Sequence, residues 1–111
     1  MSRHRDDIVL KDILNAAQGI AAFIAGFEKD VFINDWKTRS AVLYQLSVIG
    51  EAVKRLSSEY RLAHPEVPWA LMAGMRDHLI HGYDLVDWDE VWVTTTRDIP
   101  VLLKQIENLD S

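Results

Sequence analysis

Apolar residues recur at alternating steps of three and four along three stretches of the chain, which is the spacing of one face of an α-helix. These stretches cover residues 10–27, 42–60 and 88–109. No stretch shows sustained alternation of apolar and polar residues at every second position, as a half-buried strand would. The pattern predicts three amphipathic helices that bury their apolar faces in a common core.

Polar residues stand where two of these helices should begin. Asn34 or Asp35 can cap the second helix, because a short polar side chain accepts a hydrogen bond from a free backbone N–H group of the first turn. Asp87 and Glu90 have the spacing of a capping box ahead of the last helix. The caps therefore agree with the apolar pattern.

The three prolines mark a connection and a distortion. Pro65 and Pro68 disfavour helix before them, and Pro68 can also begin a helix. Pro100 falls inside the last predicted helix, where its ring and its missing N–H group predict a kink near Thr96. The connection after the second helix should therefore end at residue 68.

Composition supports a folded chain. Hydrophobic residues make up 49% of the 111 residues, and only 5 Gly and 3 Pro are present, so disorder is not expected. This length suits a single core. We predict one domain over residues 1–111 with an all-α fold, a bundle of four or five helices.

Several classes of protein are excluded or disfavoured. The absence of cysteine excludes disulfides, thiol catalysis and the common zinc ribbons. No apolar run reaches the length of a membrane span, and the opening MSRHRDD lacks the apolar core of a signal peptide. We expect a cytoplasmic protein without a membrane partner.

The net charge of −5 argues against general binding of nucleic acid. Acidic residues are concentrated after Arg76, where 8 Asp and Glu stand against 2 Lys and Arg. An RNA substrate would need a local basic patch, because exposed charges more than roughly 8 Å apart are largely screened at physiological salt. Lys54 and Arg55 belong to the densest basic cluster, and His78 is a further candidate contact to RNA.

A short third helix is predicted between the two prolines and the last helix. Arg76 should lie on an apolar stripe of this helix and therefore need a partner or an anionic ligand, since burying an unpaired charge is costly. Asp77 and His81 are four residues apart, so their side chains can meet on a helix. The stripe has spacings of 4, 3, 4 and 3 and consists of Trp69, Ala73, Arg76, Ile80 and Tyr83.

Together these side chains suit cleavage of RNA without a metal ion. A histidine can take the proton of the 2′-hydroxyl or protonate the leaving oxygen, and His81 fits that role. The Arg76 guanidinium can stabilise the charge that builds on the phosphoryl oxygens, and Asp77 can hold the His81 ring in one orientation. Spacing alone favours a different interpretation, a buried cluster of ion pairs and hydrogen bonds that holds the bundle or a dimer together.

A metal site is an alternative interpretation of the same segment. His78 and His81 form an H-x-x-H pattern, flanked by Asp77 and Asp84. The sequence offers no clear further set of ligands, so we predict neither a metal nor a cofactor. His78 is then expected to line a cleft or contact a partner.

Other residues of the second helix receive structural interpretations. Gly50 should allow a neighbouring helix to approach closely, and Glu51 should pair with Lys54 or Arg55. The four tryptophans are expected to anchor the core or an interface.

The chain resembles a known family from about residue 31 to residue 103. The pattern R-x4-H-x-Y, formed by Arg76, His81 and Tyr83, resembles the signature of the HEPN superfamily. Three longer strings resemble the HepT-like toxins of minimal nucleotidyltransferase toxin–antitoxin systems. They are IGEAVKRL, PEVPWALMAGMRDHLIHGYD and VDWDEVW.

This resemblance implies an all-α homodimer in which the motif helices of two subunits approach each other. Arg76 and His81 of both subunits would line one composite cleft of a metal-independent endoribonuclease, with Asp77 orienting the histidine. The substrate would be RNA, with tRNA and mRNA as candidates.

The resemblance also implies a cognate nucleotidyltransferase antitoxin that binds the toxin and transfers AMP to Tyr83. The added bulk and negative charge would oppose RNA binding. Tyr83 could instead be a core phenol. Some members of the superfamily imply a different function, a non-catalytic module that binds a nucleotide or a nucleotidyltransferase.

Overall fold

The computed structural model of the chain describes residues 2–81 and 85–110. Within these ranges the backbone is largely helical and contains no strand beyond one isolated bridge, between Ile80 and Val86. The all-α prediction is therefore confirmed. The helices are α1 (Ser2–Ile24), α2 (Lys29–Asn34), α3 (Trp36–Lys54), α4 (Ser58–Ala63), α5 (Trp69–Ala73), α6 (Met75–Leu79), α7 (Trp88–Val93) and α8 (Ile99–Asp110), with a π-helical turn (Thr94–Asp98) joining α7 to α8.

The core lies between the three longest helices and the short helices that cover them. α1 packs along α3, α8 packs against α1, and α5 and α6 lie against α3. The apolar stripes predicted for these helices supply much of the core, including Ile13, Ile20, Leu46, Ile49 and Ile106. No described helix combines the length and apolar character that crossing a membrane requires.

The first helix is shorter than its apolar stripe. α1 ends at Ile24, and Gly26 follows with a φ of 80°. Glycine tolerates this left-handed conformation because it has no Cβ, so the chain can turn here. Phe27 consequently packs on the core from a connecting segment, not from the helix as predicted.

The second predicted helix is divided into α3 and α4. The Asp6 carboxylate, which is almost fully buried, accepts hydrogen bonds from the backbone N–H of Ser57 (2.9 Å) and from its hydroxyl (2.7 Å). The Ser57 hydroxyl oxygen in turn accepts from the N–H of Tyr60 (3.1 Å) and caps α4. A long-range contact thus stabilises a new helix start inside the stripe.

The short α2 was missed by the periodicity, since six residues are too few to define a stripe. It is held by Phe32, which is fully buried and packs against Trp92 with ring centroids 5.2 Å apart. The Lys29 ammonium also lies 2.9 Å from the Asp89 carboxylate at the start of α7. α2 is therefore stabilised by packing on α7.

The predicted caps are largely confirmed. Asp35 caps α3, since its carboxylate accepts a hydrogen bond from the Thr38 N–H (3.1 Å). Asn34 instead ends α2 and donates its side-chain amide to the carbonyl of Asp30 (2.8 Å). At α7 the Asp87 carboxylate accepts from the N–H of Glu90 (3.1 Å), which is the Asp87 half of the predicted box.

Pro100 distorts the last helix at the predicted place. The π-helical turn ends at Asp98, just before Pro100, whose ring needs room beside the preceding turn. The hydroxyls of Thr95 and Thr96 both donate to the carbonyl of Trp92, at 2.9 and 2.8 Å. The distortion takes the form of a widened turn.

Gly50 permits the close approach that was predicted for it. A Cβ atom on Gly50 would lie 3.3 Å from the carbonyl oxygen of Ala73 and 3.4 Å from that of Met72. Both carbonyls belong to α5. The backbone of α3 at Gly50 therefore lies close to the backbone of α5, with no side chain between them. α6 begins two residues after Ala73, which takes part in this contact.

The tryptophans are divided between core and surface. Trp69 is buried and donates its indole N–H to the carbonyl of His64 (2.9 Å), while Trp88 and Trp92 pack against the core from α7. Trp36 is 75% exposed. It anchors nothing within the described part of the chain.

Candidate functional site

The motif residues lie on and after a helix that is shorter than predicted. Gly74 ends α5 and begins α6, and α6 itself ends at Leu79. The prediction of a single third helix is therefore wrong, because the helix is divided at Gly74 and ends before Ile80. The physical reason lies in Ile80, whose extended backbone (φ −109°, ψ 114°) pairs with Val86.

Two backbone hydrogen bonds join the segment after α6 to the segment before α7. The N–H of His81 donates to the carbonyl of Leu85 (2.7 Å), and the N–H of Asp87 donates to that of Leu79 (3.0 Å). His81 thus lies just beyond the end of α6, and its side chain is exposed. The bridge links the end of the motif helix to the start of α7.

Arg76 is exposed, which contradicts the expectation that its apolar stripe would bury it. No described residue forms a hydrogen bond or an ion pair with its guanidinium. It lines a surface depression of about 280 Å³, which we call the α3–α6 depression. The other lining residues are Ser40, Leu43, Tyr44, Ser47, Ile80 and Trp88.

Asp77 and His81 are both exposed, but they do not form the hydrogen bond expected from a helical spacing of four. Because α6 ends at Leu79, the two residues are not on successive turns of one helix. An orienting role for Asp77 would therefore need a change in side-chain position.

His78 lies on another side of α6. It lines a groove of about 410 Å³ between α5 and α8, together with Met72 and Met75. Residues two apart on a helix point roughly 200° away from each other. The structure therefore does not bring His78 together with Arg76 in one depression.

The predicted basic cluster also lies apart from Arg76. The Lys54 ammonium is 3.4 Å from the Glu51 carboxylate, which confirms that pair, and the Arg55 guanidinium is 4.0 Å from Asp12. Both basic side chains are exposed and neither lines the α3–α6 depression. The neighbouring carboxylates of Glu51 and Asp12 weaken the attraction of these two side chains for RNA phosphates.

The structure bears on the predicted modification site and the alternative metal site only through the residues that it describes. Tyr83 and Asp84, named from the sequence, lie outside the described residues. Within the described ranges, no group of three His, Asp or Glu side chains is arranged to hold a metal ion.

Sequence reasoning missed the residues of α3 that face Arg76. Ser40 and Tyr44 stand one turn apart, and an aromatic ring on the polar side of an amphipathic helix was the available signal. Arg39 was also missed. Its guanidinium lies 4.7 Å from the centroid of the Trp88 ring and donates to the carbonyl of Ile33 (2.8 Å), so it holds one wall of the depression in place.

Comparison with known proteins identifies the family that this chain resembles over most of its length. A family model described as HepT-like, "Ribonuclease HepT-like", matches residues 13–109. The protein named "Probable ribonuclease HepT" from Thermococcus cleftensis is 42% identical over 96% of this chain and 94% of its own length. "Putative RNase MJ1216" from Methanocaldococcus jannaschii is 41% identical over 90% of this chain and 83% of its own length. No solved structure gives a significant match.

Proposed function

Because the chain belongs to the HepT-like ribonuclease family, we propose that it is an endoribonuclease that cleaves RNA without a metal ion. The observation that carries this proposal is the exposure of Arg76 and His81. Their side chains make no hydrogen bond or ion pair with a described residue, so both are free to contact a substrate. A structural ion-pair cluster would instead have engaged them.

The chemistry follows from the two side chains. A neutral His81 takes the proton of a ribose 2′-hydroxyl, and the 2′-oxygen attacks the neighbouring phosphorus. The bond from phosphorus to the 5′-oxygen breaks, and that oxygen leaves with a proton. Arg76 stabilises the negative charge on the phosphoryl oxygens. The products are a 2′,3′-cyclic phosphate and a 5′-hydroxyl.

The function is proposed to reside in a two-fold homodimer. The reaction needs one group that accepts a proton and another that donates one, whereas the R-x4-H-x-Y motif of each chain supplies one histidine, His81. A second copy would supply the second histidine and a second Arg76. The composite cleft would then lie where the two α6 helices approach each other.

The biological role proposed is that of a toxin. A cognate nucleotidyltransferase would act as antitoxin by moving AMP from ATP to the Tyr83 hydroxyl, with release of pyrophosphate. The added phosphodiester places a negative charge two residues after His81 and repels RNA. This part of the proposal is supported by family membership and by the position of Tyr83 in the motif.

The test is cleavage of total tRNA and of a short unstructured RNA in EDTA. We expect His81→Ala to lower the rate by roughly 10²- to 10⁴-fold and Arg76→Ala by roughly 10²- to 10³-fold. His78→Ala is the matched control, since it removes an exposed imidazole from α6 that lines a different depression from Arg76. It should leave the rate within about twofold of the unsubstituted protein.

Two outcomes would count against the proposal. Full activity of the His81→Ala protein would remove the assigned proton transfer. No cleavage by a folded dimer whose Tyr83 carries no AMP would favour a non-catalytic module that binds a nucleotide or a nucleotidyltransferase.

A further inference from the structure

The exposed face of α3 beside Arg76 carries side chains that the cleavage chemistry does not use. At about 100° per residue, five of its positions fall within an arc of about 100°. Tyr44 is 66% exposed, and its ring lines the α3–α6 depression together with the guanidinium of Arg76. Four of the five positions line the α3–α6 depression, namely Ser40, Leu43, Tyr44 and Ser47, and the fifth, Trp36, lies outside it.

Charge distinguishes this depression from others on the described surface. The α3–α6 depression contains one guanidinium and no carboxylate. Three other depressions each contain at least two carboxylates, although one of them also contains Arg97. Those carboxylates belong to Asp30 and Asp35 in the first, to Asp6, Asp7 and Glu59 in the second, and to Glu90 and Asp98 in the third. Of these four depressions, the one beside Arg76 is therefore the best suited to an anionic ligand.

The lining chemistry suits a nucleotide. A ring such as that of Tyr44 stacks on any nucleobase, and an exposed hydroxyl such as that of Ser40 can hydrogen-bond a ribose or a base edge. The volume of about 280 Å³ lies just below the range typical of drug-sized ligands, roughly 300–1,000 Å³. A single unpaired nucleotide fits these dimensions better than a duplex does.

We propose that the α3–α6 depression is a base-binding subsite for single-stranded RNA. An unpaired base stacks on Tyr44 while the neighbouring phosphate is held by Arg76. This inference rests on the proposed function for its substrate and adds the position of the base. Tyr44 would be a binding residue that selects unpaired RNA.

Binding can be measured separately from cleavage. A fluorescently labelled, unstructured RNA is titrated with the His81→Ala protein, so that the RNA stays intact, and its anisotropy is recorded. In that background we expect Tyr44→Ala to weaken binding roughly 5- to 150-fold, the range for loss of one stacked base. Tyr44→Phe keeps the ring and should stay within about twofold.

Trp36→Ala provides the matched control. Trp36 is a 75% exposed aromatic residue on the same helix, but it does not line the α3–α6 depression. Its removal should leave RNA affinity within about twofold if stacking is confined to the depression. An equal loss in both alanine variants would overturn the subsite.

A second RNA separates stacking from a structural role. An oligonucleotide with abasic nucleotides keeps the ribose and phosphate groups but offers no base. The proteins with and without Tyr44→Ala should bind this RNA equally. A loss of affinity as large as that for ordinary RNA would overturn the subsite, because the ring would then act without a base.

The oligomeric state must be followed in parallel by light scattering. If Tyr44→Ala converted a dimer into a monomer, this face would be a contact between copies, and the subsite proposal would fail. These experiments also distinguish failure of the proposed nuclease function from failure of the subsite. Tyr44-dependent binding without cleavage by the unsubstituted protein refutes the nuclease alone, whereas cleavage with Tyr44-independent binding refutes the subsite alone.

Discussion

Replacing Gly50 with alanine tests how closely α3 and α5 pack beneath the candidate site. The added methyl group would lie 3.3 Å from the carbonyl oxygen of Ala73 and 3.4 Å from that of Met72. Ordinary contacts of a Cβ atom are longer, so α5 would have to move by a few tenths of an ångström. Because α6 begins immediately after α5, Arg76 would move with it.

The magnitude follows from two opposing terms. Alanine is favoured over glycine inside a helix by about 1 kcal/mol. Crowding in a packed interior costs about 1–3 kcal/mol. We therefore expect the free energy of unfolding of Gly50→Ala to lie between unchanged and about 2 kcal/mol lower.

Gly19→Ala is the matched comparison. Gly19 lies inside α1, and a Cβ atom there would have no neighbour within 4 Å. The helix-propensity term alone should raise the free energy of unfolding by about 1 kcal/mol. The difference between the two variants therefore isolates crowding at Gly50, with an expected size of about 1–3 kcal/mol.

Urea unfolding of both variants measures this difference, provided that their m-values agree. Thermal unfolding should separate them by about 4–8 °C for each kcal/mol. We also expect RNA cleavage to fall in Gly50→Ala and to be retained in Gly19→Ala. If Gly50→Ala gained as much stability as Gly19→Ala, the close approach of α3 and α5 would be refuted.

Two other predictions test a long-range hydrogen bond and the proposed modification. Asp6→Ala should lower the free energy of unfolding by about 2–4 kcal/mol in urea, because both hydrogen bonds to Ser57 are lost. The exposed neighbour Asp7 is the control, and equal losses in the two alanine variants would contradict the assignment. With ATP and the cognate nucleotidyltransferase, intact mass should show one added AMP group, and Tyr83→Phe should show none. Addition to the phenylalanine variant would place the modification elsewhere.

Local pattern was sufficient for the main helices. The stripes centred on α1, α3 and α8 were visible because each buries one face of a long helix, which repeats every 3.6 residues. The caps at Asp35 and Asp87 were also visible, because capping joins residues that are only three apart in the sequence. The resemblance to the family was likewise visible in the sequence, in the motif around Arg76 and His81 together with three longer strings.

The apolar pattern does not reveal contacts between distant parts of the chain. The hydrogen bonds that join Asp6 to Ser57 span 51 residues and divide one predicted helix into two. The end of α6 depends on the bridge between Ile80 and Val86, which no helical periodicity reveals.

The candidate site shows the same division. The sequence by itself identified the side chains that are proposed to cleave RNA, because their chemistry and local spacing are properties of a short segment. Only the tertiary structure decided that Arg76 is exposed, that His78 faces another groove, and that Tyr44 lies beside Arg76. These relations depend on how α3 and α6 pack, and packing is set by contacts across the core.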